Sequence, residues 1–496
     1  MPLNGSHLFG QDEIPVRSQL DFTNGELLGL RHSDTPVGLV TLWEVEKFGK
    51  VLLQTTRLPE SNKSYNLNVE LARGRLLRIS QKREEWSMAD MTLGEKQHEL
   101  IDTALDHFIN ALSHLGDDEK ASQSADQALT WGLRAGEDMS LWYAQQLLEK
   151  RKQNQGIGRH SFGCCLDTSR LQDRNYLKFI KDHFNFVTLP ISWRQIETKE
   201  QERNFELMDE WINWLSRNYI AIKVGPLINF TPNSVPDWLY IWENDFEQVR
   251  EMAYDFITEV VQRYADKVHA WDVVSGMNVE NCFKFSFEQI IEMTRSSVLA
   301  ARHAAPRSLI LVEVTEPWGD YYAYNQRTIP PMIYIDMICQ SGVSFNALGL
   351  KLRFGRGGRG MQTRDLLDIS HLLDRIGIFG KSVHLSNVQV PSTPDARDNN
   401  GRVGEAGYWH SAWSEKVQAE WLEQVYQIAL GRGYIETVTW HELVDREEGM
   451  LQHGGLVRKD YHPKAAFKKL LQLKKDLVRP NRRDHKQKKG ASKQPS

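Results

Sequence analysis

From about residue 160 onward, short runs of apolar and β-branched residues alternate with longer segments whose apolar positions recur every three or four residues. The short runs suit strands buried on both faces, and the longer segments suit helices with one apolar stripe turned to a core. Eight strands are predicted: SFGCCLD (161–167), FNFVTLP (184–190), IAIKVGPLI (220–228), VHAWDVVSG (268–276), SLILVEVTE (308–316), FNALGLKLR (345–353), SVHLSNVQV (382–390) and YIETVTWHEL (434–443). Helical stripes such as ELMDEWINWLSRN, FEQVREMAYDFITEVVQRY and FEQIIEMTRSSVLAARHA separate them, and PKAAFKKLLQLKKDL follows the last. Eight strand-then-helix units over roughly 300 residues predict an α/β chain of the (β/α)8 TIM-barrel type. A doubly wound sheet is the structural alternative, but eight units without a break in composition favour closure. In such a barrel, chemistry is carried by side chains at the C-terminal ends of the strands.

The pattern before the barrel is different. Residues 1–93 read as a small β-rich module, with strand-like runs at 38–46, 50–58 and 65–79 between Gly, Asn and Ser turns. Residues 94–155 carry helical stripes and read as a helical connector, and the barrel is expected to occupy 156–472. The last segment, 473–496, is basic and almost free of apolar residues, so a disordered tail is expected.

Composition narrows the function classes only a little. With 41% hydrophobic and 25% charged residues and a formal net charge of −4, the chain shows no global bias towards nucleic acid or membrane. No run approaches the roughly 18 apolar residues of a membrane span, and the opening MPLNGSHLFGQDEIPVR has no apolar signal segment, so a cytoplasmic location is expected. Four cysteines in a chain this long make no disulfide framework, and Cys164 and Cys165 sit inside an apolar strand. HELVD (441–445) lacks the second histidine of a zinc helix. GRGGRG (355–360) matches a dinucleotide-loop spacing, but no acidic residue ends the next strand. Neither a metal nor a cofactor is expected. The basic tail has no interleaved aromatics, so nucleic acid is not the expected partner either.

The strand ends are more informative. FGCCLD with HFNFVTLPISWRQIE, NSVPDWL, WDVVSGMN, VHLSNVQV, and WHELVD with HPKAAF follow one another in the order of motifs known from one family. On these motifs, residues 160 to about 470 resemble glycoside hydrolase family 10, the endo-1,4-β-xylanase barrels. The resemblance implies an oligo- or polysaccharide ligand and a retaining mechanism that uses two glutamates, one as acid and base and one as nucleophile. Such a mechanism needs both carboxylates, roughly 5 Å apart.

Both are missing at the matching positions. WDVVSG stands where the family has WDVVNE, so Gly276, preceded by Ser275, replaces the acid and base; Asn387 replaces the nucleophile. Sugar-holding positions differ as well. Thr188, Leu189 and Ser192 stand for Glu, Asn and Lys, with only Trp193 kept; Pro226 stands near a His; Lys351 and Arg353 stand for Gln and His. Glu316 and Glu442 are the candidates for a relocated acid and base pair. Candidate sugar-stacking residues are Trp193, Trp238, Trp318 and Trp440, with Asp237, Ser275 and Asn387 as polar contacts. Lys351, Arg353, Arg356 and Arg359 gather cations after strand six, which suggests an anionic glycan; pairing with neighbouring acidic loops is the alternative. The sequence therefore supports a glycan-binding barrel without the standard mechanism. A hydrolase with relocated carboxylates, or a scaffold protein whose tail meets an anionic partner, are the other readings.

Overall fold

The computed structural model describes residues 3, 5–31, 34–88, 92–154, 156–279, 281–325, 327–358, 360–394, 406–446 and 451–478. Six strands come first: β1 (His7–Phe9), β2 (Pro15–Val16), β3 (Ser18–Thr23), β4 (Glu26–Arg31), β5 (Gly38–Val45) and β6 (Gly49–Gln54). Three helices follow, α1 (Leu67–Ser87), α2 (Glu95–Ser113) and α3 (Asp118–Asn154). The strand expected at 65–79 is therefore a helix. Asn66 caps it by accepting the Val69 N–H, and among its buried residues Ala72, Leu76, Ile79, Lys82 and Trp86 follow one another at three- or four-residue steps. Leu, Ala, Arg and Glu dominate this run, and their helix propensity outweighs the two β-branched residues, Val69 and Ile79.

The barrel strands are β7 (Phe162–Cys165), β8 (Phe186–Leu189), β9 (Ala221–Val224), β10 (Ala270–Ser275), β11 (Leu309–Val314), β12 (Ala347–Arg353) and β13 (Ser382–Gln389), then, after the two-residue β14 (Tyr408–Trp409), β15 (Ile435–Trp440). All eight lie within the predicted runs. They pair in parallel and close on themselves in the order β10-β11-β12-β13-β15-β7-β8-β9. The helices are α4 (Arg174–His183), the single-turn α5 (Trp193–Ile196), α6 (Glu206–Arg217), α7 (Phe246–Tyr264), α8 (Phe287–Ala304), α9 (Pro331–Gln340), α10 (Leu366–Gly377), α11 (Glu415–Gly431) and α12 (Ala465–Leu477). The main core lies between the strands and this helical ring. Inside the barrel a small plug of Ala270, Leu311 and Ala347 closes one layer. The polar Lys223, Asp272 and Glu313 are also buried at strand positions, in a fold whose interior is usually filled by branched apolar residues.

The amino-terminal segment is fastened to the barrel. β14, from the connection between β13 and α11, pairs antiparallel with β6, giving a sheet ordered β14-β6-β5-β1-β2. Leu52 N–H donates to the Thr363 carbonyl and Thr363 N–H to that of Ala406. Arg75 of α1 makes a two-bond pair with Asp365, the N-cap of α10, and both side chains are buried. Val51, Leu53, Leu71, Ile101, Leu129 and Leu367 share one apolar cluster, so β-rich segment, helices and α10 pack around a common core. The chain after strands six and seven is thereby held from outside the barrel. Residues 473–477, expected in the tail, are instead the last turn of α12; 479–496 lie outside the described residues.

Candidate functional site

β10 brings Ser275 to the barrel's C-terminal end, directly opposite Glu313 of β11, because the pairing shifts by one residue between Asp272 and Val274. The Ser275 hydroxyl donates to Glu313 Oε1 at 2.6 Å. Lys351 of β12 reaches the same oxygen at 2.6 Å and donates to Ser275 Oγ at 3.0 Å. Gly349, two residues earlier, leaves room for this group, since a Cβ there would lie 2.8 Å from Ser386 Oγ and 3.0 Å from the Glu313 side chain. Lys223 Nζ donates to Ser386 Oγ at 3.0 Å and stands 4.0 Å from Asp272. Burial would raise the Glu313 carboxyl, but Lys351 and Lys223, with the hydrogen bonds from Lys351 and Ser275, bring it down to about 2. Asp272 goes the other way, raised well above the usual carboxylate range by burial and by the charge of Glu313. Ser275, Glu313 and Lys351 thus form a buried serine, carboxylate and ammonium triad, closed on itself.

Gly276 follows at φ +70°, a left-handed conformation that suits glycine. Across the barrel, Asn387 Oδ1 lies 2.5 Å from His441 Nδ1. Burial, with Arg353 and Lys351 nearby, holds the His441 ring far below the ordinary histidine value, hence neutral, so its Nδ1–H is the donor to the amide oxygen. That leaves the Asn387 NH2 without a partner among the described residues. Lys351 is register partner to Asn387, and Arg353 to Gln389, so Arg353 stands diagonally beside Asn387 on the same face. Among the described residues the guanidinium groups of Arg353 and Arg356 make no hydrogen bond or ion pair. The alternative of acidic pairing thus applies to Lys351 and not to these two; Arg359 lies outside the described residues.

Glu442 is buried, accepts a hydrogen bond from Gln389 Nε2 at 2.9 Å, and has its carboxyl raised, by burial first and by Asp445, against the pull of Gln389 and Arg446. With His441, Ser192, Gln195, Pro226 and the Asp167–Arg446 pair it lines a cavity of about 340 Å³ over the ends of β7, β8, β9 and β15. Glu316, at φ +47°, is outside that lining. Asp237 is exposed and paired with Arg194 at 2.7 Å. Among the described residues no group of three or more His, Cys, Asp or Glu stands close enough to hold a metal ion.

Three of the expected sugar contacts are not available to a ligand. Trp193 is 2% exposed, stacked on Phe256 with its indole N–H on Glu197, and Trp440 is fully buried with its N–H on the Gly454 carbonyl. Ser275 is fully buried as well. Each is drawn inward because the helical ring or the neighbouring strand supplies both apolar packing and a hydrogen-bond partner. Trp238 is half-buried, edge-on to Trp193 and bonded to the Glu197 carbonyl. Trp318 is partly exposed and carries the Arg364 guanidinium over its ring at 4.4 Å. His441 and Gln389 were missed by sequence reasoning. The signal the sequence offers for His441 is HEL directly after the strand-ending Trp440.

Comparison with known proteins gives the chain its relatives. A β-1,4-xylanase of Dictyoglomus thermophilum is 29% identical over 119 residues, 24% of this chain and 33% of that one. Endo-1,4-β-xylanase A of a Caldicellulosiruptor species is 21% identical over 322 residues, 60% of this chain and 43% of that one. The chain thus spans about a third to two fifths of the length of these two relatives. Among solved structures, native xylanase 10B from Thermotoga maritima superposes with a TM-score of 0.50 at 18% identity, covering 67% of this chain and 98% of that one. The GH10 structure from Paenibacillus barcinonensis gives 0.51 at 17% identity, covering 68% and 98%. Both establish the shared barrel fold. The family model for glycosyl hydrolase family 10 matches residues 150–473, the whole barrel that carries Gly276, Asn387 and the cavity beside Glu442, and the chain belongs to that family.

Proposed function

We propose that this family 10 barrel binds a β-linked, acidic glycan and does not hydrolyse it by the two-glutamate retaining mechanism. One observation carries the reading: the residues that match the two glutamates by motif, Gly276 and Asn387, have no carboxylate, and the buried Glu313 opposite Ser275 is paired with Lys351 at 2.6 Å. A carboxylate locked in an ion pair and held at about 2 has no proton to give to a leaving group near neutral pH. The unpaired Arg353 and Arg356 supply positive charge at the same strand ends, which favours an anionic ligand. The similarity to a β-1,4-xylanase and an endo-1,4-β-xylanase motivates β-1,4-linked sugars as the first compounds to try.

A second reading has its own support. Glu442 opens onto the cavity of about 340 Å³ and has its proton affinity raised by burial, the environment that suits a general acid. Under that reading the protein is a hydrolase with relocated carboxylates. Purified protein with a panel of neutral and acidic β-linked oligosaccharides separates the two, with Glu316→Gln and Glu442→Gln alongside. Saturable binding without release of reducing ends is expected. Release that either substitution abolishes would establish the second reading instead.

A further inference from the structure

A retaining nucleophile is a carboxylate that presents only acceptor oxygens to the sugar; at Asn387 the polarity is reversed. The Asn387 amide oxygen is occupied by His441, so the group it leaves for another partner is its NH2, a donor. Arg353, diagonal to it on the adjacent strand, adds a donor fork that no described residue satisfies. Glu316 and Glu442 act on Arg353 through space, yet neither comes within 4.0 Å of its guanidinium. Glu313, the third carboxylate nearby, spends its charge on Lys351. Unpaired donors in a partly buried position are satisfied by an acceptor brought from outside, and a guanidinium beside an amide NH2 fits the two oxygens of one carboxylate.

We infer that Arg353 and Asn387 together hold the carboxylate of a uronic acid unit, with His441 as the positioning residue that turns the Asn387 NH2 towards the ligand. This deepens the proposed function and rests on it. A consequence runs against the family resemblance: Asn387→Glu, which restores the missing nucleophile in composition, sets a negative charge against the bound carboxylate and removes selectivity for acidic ligands.

The test is calorimetric titration of the full chain with xylotriose bearing one glucuronate branch, and with the same compound after reduction of its carboxyl to an alcohol. The acidic compound is expected to bind at least about tenfold more tightly. Arg353→Ala is expected to weaken binding of the acidic compound about 30-fold or more, as loss of one partner in a desolvated charge pair does. Arg353→Lys, which keeps the charge and loses the fork, gives an intermediate value and guards against misfolding of the alanine variant. Asn387→Glu and His441→Ala each bring the acidic-to-reduced ratio towards one, whereas a merely structural role for His441 would weaken both compounds alike. Equal affinity for the two compounds in the native protein, or an unchanged ratio in Asn387→Glu, overturns the inference while leaving glycan binding in place. Absence of binding by both compounds removes the glycan reading and this inference with it.

Discussion

Replacing Lys351 by methionine keeps the side chain's length and removes its charge, leaving Glu313 inside the barrel with its nearest counter-ion gone. The Glu313 carboxyl sits at about 2 against an ordinary 4.5. At about 1.4 kcal/mol per pH unit this corresponds to about 3 kcal/mol of stability, within the 3–5 kcal/mol typical of breaking a buried pair. The sign follows from the direction of the shift. In the native protein this contribution is full above pH 4.5 and is lost as pH falls towards 2. In Lys351→Met, burial dominates and Glu313 takes up a proton at higher pH, so the cost is greatest near neutrality and shrinks on acidification. Urea unfolding of native and variant protein at pH 7.5, 6 and 5 reads the difference directly. The double variant Glu313→Gln with Lys351→Met should recover most of the loss, because the Glu313 charge is then removed together with its nearest counter-ion. A loss below about 1 kcal/mol that does not change between pH 7.5 and 5 would refute the assignment of a strong buried pair.

Three further outcomes follow from the same geometry. Gly276→Glu should lower stability by about 1–2 kcal/mol in denaturant unfolding, since residue 276 stands at φ +70°, a conformation unfavourable to a side-chain-bearing residue; an unchanged unfolding midpoint would contradict this. Arg75→Ala should cost about 3–5 kcal/mol in denaturant unfolding, because Asp365, at 4% side-chain exposure, loses its two-bond partner. Trp193→Ala should destabilise the fold by about 3–5 kcal/mol and leave the acidic-to-neutral binding ratio of the folded protein unchanged, since the ring is core; a change in that ratio would show that the ring meets the ligand.

Sequence alone determined the eight barrel strands and their helices, because the alternation that encodes them is local: each run carries its own period. It also supplied the expectation that Gly276 and Asn387 match the family's two glutamates, because the motifs follow the family's order along the chain. Local pattern misled at residues 65–79, where two β-branched residues looked like a strand until Asn66 and the spacing of buried positions made α1. The surroundings of Gly276 and Asn387 were decided only by tertiary structure. Ser275, Glu313 and Lys351 are 38 or more residues apart, and closure of the barrel with a shifted register brings them together. The same closure sets His441 against Asn387 and sends Trp193 and Trp440 into the core while leaving Arg353 unpaired. A side chain's partner depends on which strands become neighbours and in what register, and that is a property of the whole closed sheet rather than of any one segment.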